Sequence, residues 1–136
     1  MEPIYKLKGK MMASENFQAK SDFGNTQRVK QLTTSAAVLT YTAKVGRPED
    51  DFVIDKFIRV TTTDGNSMTI TLPNGVYLGQ QIHVLFEVVV GTETVAVANA
   101  AAGAIATPMT NAGGYSILEW TGSTIGWVEI ANATGD

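Results

Sequence analysis

The chain has no cysteine, a single histidine (His83), and no lysine or arginine after Arg59. Without cysteine there are no disulfides, no thiolate nucleophile and no cysteine-zinc site, and one imidazole cannot build a multi-histidine metal centre within one chain. No run of about 18 apolar residues occurs, so no helix is expected to span a bilayer, and the stretch after Met1 lacks the apolar segment of a secretion signal. Synthesis and folding in a cytosol are therefore expected. Charge is scarce too: 17% of residues are charged against 44% apolar, low for a monomer that must stay soluble alone. Burial in an assembly would account for it.

The net charge of −3 conceals a polarity along the chain. Up to residue 48 there are eight basic residues against Glu2, Glu15 and Asp22; from residue 60 onward there are none against Asp64, Glu87, Glu93, Glu119, Glu129 and Asp136. Such asymmetry points to an acidic partner for the N-terminal part. The plain alternative is a solvated tail.

At 136 residues the chain makes one domain with a single core. Its organising stretch is Met68 to Val90. Met68, Ile70 and Leu72 alternate with Thr69 and Thr71, the pattern of a half-buried strand, and Pro73-Asn74-Gly75 ends it. From Gln80 a second strand follows, with Ile82, Val84, Phe86, Val88 and Val90 pointing one way and His83, Leu85, Glu87 and Val89 the other. A strand apolar on both faces must be central, or must be covered by another subunit. Ala37–Thr42, Phe52–Ile54 and Phe57–Thr62 also read as strands, with Asp64-Gly65-Asn66 turning the last back into Met68–Leu72 as a hairpin. Thr94–Val97 is a short strand, and Ala98–Ala106 a tightly packed loop or strand. Tyr115–Thr121 and Gly126–Ile130 close the chain as a hairpin about Gly122-Ser123-Thr124, bringing Trp120 near Trp127.

Residues 1–35 follow neither a helical nor a strand period, yet Ile4, Tyr5, Leu7, Phe17 and Phe23 are too many apolar anchors for a solvating tail. The segment reads as an extended basic arm that orders on another surface, with Ile4–Leu7 alternatively a first strand. The expectation is an all-β fold, an antiparallel sandwich or barrel of about eight strands over residues 36–136, carrying that arm.

From Thr69 to Gln80 the chain reads TITLPNGVYLGQ, and from Tyr115 to Ile130 YSILEWTGSTIGWVEI. Together with the long apolar strand and the Val-Ala-Val strand between them, these stretches resemble a module of tailed-bacteriophage virion proteins. It is found in small trimeric head-decoration (cement) proteins and in fibre or receptor-binding modules. The likeness covers about residues 57–131; Ile125 departs from it, standing where a polar turn residue is usual. It implies a homotrimer on the outer surface of a phage head, made in the bacterial cytoplasm and bridging copies of the major capsid protein. The arm would supply the capsid contacts: Lys6, Lys8, Lys10 and Lys20 facing carboxylates, and Ile4, Tyr5, Leu7, Phe17 and Phe23 filling apolar grooves. Val84, Phe86 and Val88 are the expected oligomer interface. The alternative is a receptor-binding module whose loops at Glu49–Asp51 and Ala98–Asn111 touch a glycan or surface protein.

Chemistry has few candidates. His83 has no motif around it. Glu87 and Glu119 are the one pair that could act as acid and base across strands. Glu49, Asp50, Asp51 and Asp55 lack the glycine-punctuated spacing of a calcium loop and read as a solvated cluster. There is no phosphate-cradling glycine loop, and the basic arm lacks the interleaved arginines of a nucleic-acid surface. No catalysis, cofactor, metal, membrane or direct nucleic-acid contact is expected.

Overall fold

A computed structural model of the chain describes residues 20–21, 25–88, 92–99 and 103–135. Among these lie ten strands: β1 (Lys20–Ser21), β2 (Asn25–Thr33), β3 (Thr40–Thr42), β4 (Val53–Thr61), β5 (Met68–Leu72), β6 (Gln81–Val88), β7 (Val95–Asn99), β8 (Gly103–Ala104), β9 (Tyr115–Trp120) and β10 (Trp127–Ala133). One 3₁₀ turn, Pro48–Asp50, is the only helical element among the described residues. The strands form two sheets, ordered β10-β9-β6-β4-β2-β1 and β3-β5-β7-β8, and neither closes on itself.

The sheets are mixed, which corrects the antiparallel expectation. From β2 to β7 the chain visits the larger sheet and the smaller one alternately, and each strand lies parallel to the next strand of its own sheet. Val29 faces Phe57 and Phe57 faces His83 in the larger sheet; Thr40 faces Thr69 and Thr69 faces Ala96 in the smaller. These partners are 28, 26, 29 and 27 residues apart. Three coils of nearly equal length are thus stacked, each giving one strand to each sheet. Parallel neighbours need a long crossover, and here a strand of the opposite sheet serves in place of a helix. Asp64-Gly65-Asn66 is a tight turn as expected, but it carries the chain from one sheet to the other, so β4 and β5 are not a hairpin. The closing hairpin does form. β9 and β10 pair antiparallel with Trp120 opposite Trp127, their rings edge-to-face at 5.5 Å.

One apolar core lies between the sheets. The larger contributes Ile58, Val60, Ile82, Val84, Phe86, Leu118, Trp120 and Trp127, and the smaller Met68, Ile70, Leu72, Val95 and Val97. Alternation in β5 and β6 therefore works as read. It also overturns the expected oligomer interface: Val84 and Phe86 are wholly inaccessible inside their own chain's core, and a second subunit cannot reach them. The side chain of Val88 lies outside the described residues, as do Ile4, Tyr5, Lys6, Leu7, Lys8, Lys10, Phe17 and Phe23. Lys20 is on β1, and Asn25–Thr33 is a strand of the larger sheet, so the arm boundary near residue 35 falls inside the domain. The pattern of β2 hides its role because two of its inward positions are charged. Arg28 binds Asp55 and Tyr41, and the Lys30 ammonium lies 5.4 Å from the Tyr41 ring centroid.

Side-chain bonds tie coil to coil. The buried Gln80 amide donates to the Val45 carbonyl (2.9 Å) and accepts from the Val76 amide (2.7 Å), and Trp127 Nε1 donates to the Pro73 carbonyl (2.8 Å). Thr63 donates through its amide to Thr34 Oγ1 (2.8 Å) and through its hydroxyl to the Thr34 carbonyl (2.9 Å). Gly75 rests on Trp120, where a Cβ would fall 2.3 Å from Cγ. We expect Gly75→Ala to lower the unfolding free energy by about 2 kcal/mol or more, as overpacking against an immobile ring does. Exposed Asn74→Ala should change it by less than about 0.5 kcal/mol, both read from urea denaturation.

Candidate interaction surface

Strand alternation that sends Ile82, Val84 and Phe86 inward sends His83 and Leu85 outward, onto the face of the larger sheet that the smaller sheet leaves uncovered. Register carries this across the strands. Val29, Phe57, His83 and Ile117 form one row, and Gln31, Arg59, Leu85 and Tyr115 the next. Val29 is 58% exposed and Phe57 44%, and on β10 Ile130 is 50% exposed. The rows enclose a groove of about 360 Å³ lined by Val29, Phe57, Arg59, His83, Tyr115 and Ile117, among others.

Polar groups stand at the two ends of this apolar band. At one end Arg59 pairs with Glu87, whose other oxygen accepts from Gln31 (2.9 Å); at the other Gln81 donates to Glu119 (2.9 Å). Glu87 and Glu119 thus sit at opposite ends of the sheet, separated by roughly 20 Å along the strands. The structure does not bring them together as an acid–base pair. His83 stands edge-on to Phe57 with ring centroids 4.8 Å apart. Burial, and then the positive charge of Lys56, hold its pKa below the ordinary imidazole value.

The acidic loop is turned toward protein donors. Asp50 accepts from the Val45 amide (3.0 Å) and Arg47 (3.4 Å), while Asp55, fully buried, accepts from Arg28, Tyr41 and the Lys44 amide. Burial and the Asp55 charge push the Tyr41 phenol up to about 12. Among the described residues no three acidic or imidazole groups converge as metal ligands.

An apolar face edged by polar groups is suited to binding another protein surface. No protein-family model matches this chain, and no curated protein does. The surface residues Val29, Phe57, Leu85, Tyr115 and Ile117 escaped the sequence reading, although its signal was present: β6 is apolar on both faces, and the outward set is the complement of Ile82, Val84 and Phe86. A second exposed apolar site lies at the end of the coils, where Leu78 and Ile125 are each more than 70% exposed.

The position of His83 predicts a pH dependence. Its folded-state pKa lies below the unfolded one, so its contribution is complete above the unfolded value and is lost as pH falls through that value toward the folded one. Between about pH 7.5 and about pH 5.5, a window above most carboxylate titrations, urea midpoints should fall. His83→Gln should fall less, and an equal fall in both proteins would exclude His83 as the source.

Proposed function

We propose that the chain is a structural virion protein, a capsid decoration (cement) protein of a tailed bacteriophage. It would assemble as a homotrimer, bind the major capsid protein on the outer surface of the head, and act without turnover or cofactor. The two open sheets are then the layers of a β-sandwich rather than parts of a barrel. The observation that carries this reading is the uncovered apolar face on a scaffold whose closing hairpin, β9 and β10, contains Tyr115 to Ile130, one of the stretches that resemble virion proteins. A cement protein works by making separation of neighbouring capsid subunits expose its own buried interface as well. Repetition over a shell turns a modest contact into a large total through multivalency. The basic residues ahead of β2 are the part suited to an acidic shell surface.

A receptor-binding reading is favoured by one other feature. A cleft of about 250 Å³ beside Trp120 and Trp127 is lined by Asn74, Asn99, Ser123 and Thr124, a neutral set of amides and hydroxyls that suits a glycan.

Copy number separates the two. Quantitative mass spectrometry of purified particles should find hundreds of copies in a simple ratio to the major capsid protein. A few tens or fewer would favour a tail or fibre, and absence from particles would reject both. Deleting residues 1–19, which leaves every strand from β1 onward, should abolish attachment to stripped capsids while preserving the fold; attachment by the truncated chain would remove the arm from the mechanism.

A further inference from the structure

We propose that the β2 edge of the larger sheet is a docking site for residues 13–19 of the same chain, which extend β1 along β2 and set Phe17 beside the apolar row of the outer face. The inference concerns the chain alone and does not depend on the virion reading.

β2 has β4 on one side and β1 on the other, and β1 meets it at two positions, Lys20 opposite Thr26 and Ser21 opposite Asn25. The Thr26 amide donates to the Phe52 carbonyl (2.9 Å) and the Thr34 amide to the Thr61 carbonyl (3.0 Å), both toward β4. Backbone groups alternate along a strand, so the N–H groups of Val29, Gln31 and Thr33 point to the β1 edge. A strand edge of this length invites a partner strand. The nearest one is covalently attached: nineteen residues precede Lys20, more than the seven needed to run beside residues 27–33. Attachment at the edge itself gives that segment an effective concentration in the millimolar range.

The antiparallel register of β1 fixes which side chains meet. Continued backward from Lys20, it sets Ala19 opposite Gln27, Phe17 opposite Val29 and Glu15 opposite Gln31 on the outer side, with Gln18 opposite Arg28 and Asn16 opposite Lys30 on the inner side. Both sides match in chemistry. Phe17 prolongs the row of Val29, Phe57, His83 and Ile117, and beside Val29 a hollow of about 270 Å³, lined by Gln27, Val29, Lys56 and Phe57 among others, receives its ring. Glu15 joins the polar end of the face, where Gln31 and Arg59 both bond to Glu87. Gln18 and Asn16 bring neutral amide oxygens to the cations of Arg28 and Lys30. A slip of one residue would put Phe17 among those cations and the amides over the apolar row. Residues 1–12, with Lys6, Lys8 and Lys10, then leave the sheet at its Thr33 end, and Phe17 serves the chain's own sheet rather than a partner.

Backbone amide exchange of the full-length chain, followed residue by residue by NMR, tests this. The Val29, Gln31 and Thr33 amides should be protected, and in the chain lacking residues 1–19 they should exchange at least tenfold faster. The Leu32 and Thr34 amides, which point to β4, should keep their protection. Equal exchange at Val29, Gln31 and Thr33 in the two chains would overturn the proposal. Register is read separately through a disulfide, since the chain has no cysteine of its own. Asn16 and Lys30 form a non-hydrogen-bonded pair in the proposed register, with Cα atoms about 4.5 Å apart, within disulfide reach. Asn16→Cys with Lys30→Cys should therefore oxidise within one chain at low-micromolar concentration. Phe17→Cys with Lys30→Cys, whose side chains leave opposite faces, should not. A link that forms only between chains would place the strand on a second copy, and a shifted pair that oxidises as readily as the matched one would mean another register; either result overturns the proposal. If the truncated chain also loses protection at Leu32 and Thr34, the disulfide pairs decide. The virion reading predicts none of these results, so the two fail separately.

Discussion

The stacking of coils in register is the constraint on which the rest of the molecule depends. A single coil here is one strand of each sheet, too thin to shield its own apolar side chains, so each layer must be covered by the next. The buried residues accordingly form ladders that run from coil to coil. Leu32 faces Val60 and Val60 faces Phe86; Ile58 faces Val84; Ile70 faces Val97. Slipping any strand by one residue would turn its rung outward and leave a gap in both neighbours. The bonds of Gln80 and the Thr34–Thr63 pair act on the same problem, fixing where one loop lies on the next.

A stack of this kind has two ends, and the chain finishes them differently. In the first coil the ladder changes from apolar to polar: Lys30 faces Ile58 and Arg28 faces Asp55. The fully buried Asp55 is tolerated because Arg28, Tyr41 and the Lys44 amide all donate to it, so burial and pairing are met together. At the other end the chain reverses direction, with β8 and β9 antiparallel to the last coil and β10 folded back on β9. The edge-to-face tryptophan pair anchors that reversal, and Gly75 is the residue small enough to let the loop of the second coil lie against it.

Local elements were legible in the sequence wherever a side chain's neighbours along the chain determine its environment. The alternation of Met68, Ile70 and Leu72, the two-sided β6 and the Trp120–Trp127 hairpin all follow from such patterns. The coil repeat did not, for a physical reason. Stacking asks only that a rung be apolar and a turn be tight, and Val29, Phe57 and His83 occupy one row without sharing any chemistry. A tight turn, moreover, does not say whether the chain returns within its own sheet or crosses to another, so Asp64-Gly65-Asn66 read as a hairpin. β2 was lost into the arm because its inward charges are satisfied by Asp55 and Tyr41, residues distant in the chain. The outer face was half visible: the sequence showed that β6 has a second apolar side, but a choice between the two sides needs the position of the smaller sheet.

The coil topology gives meaning to a feature that composition alone left ambiguous. In an antiparallel sandwich with long crossings, early and late strands interleave, and a chain with basic residues first and acidic residues last would mix its charges across each sheet. Here strands enter the larger sheet strictly in chain order, so the same polarity is laid out from edge to edge over six strands. Charges of one sign on an edge repel a copy of that edge and attract its opposite, which discourages the edge-to-edge pairing that exposed strands otherwise invite. The lack of basic residues after Arg59 is then a property of a surface rather than of a tail. At the edges it lies mainly on the inner side of that sheet, where Arg28 is held by Asp55 and Glu129 accepts from Ser116, while Val29, Phe57 and Leu85 take the outer side, so the charge polarity and the apolar face are divided between the two sides of one sheet.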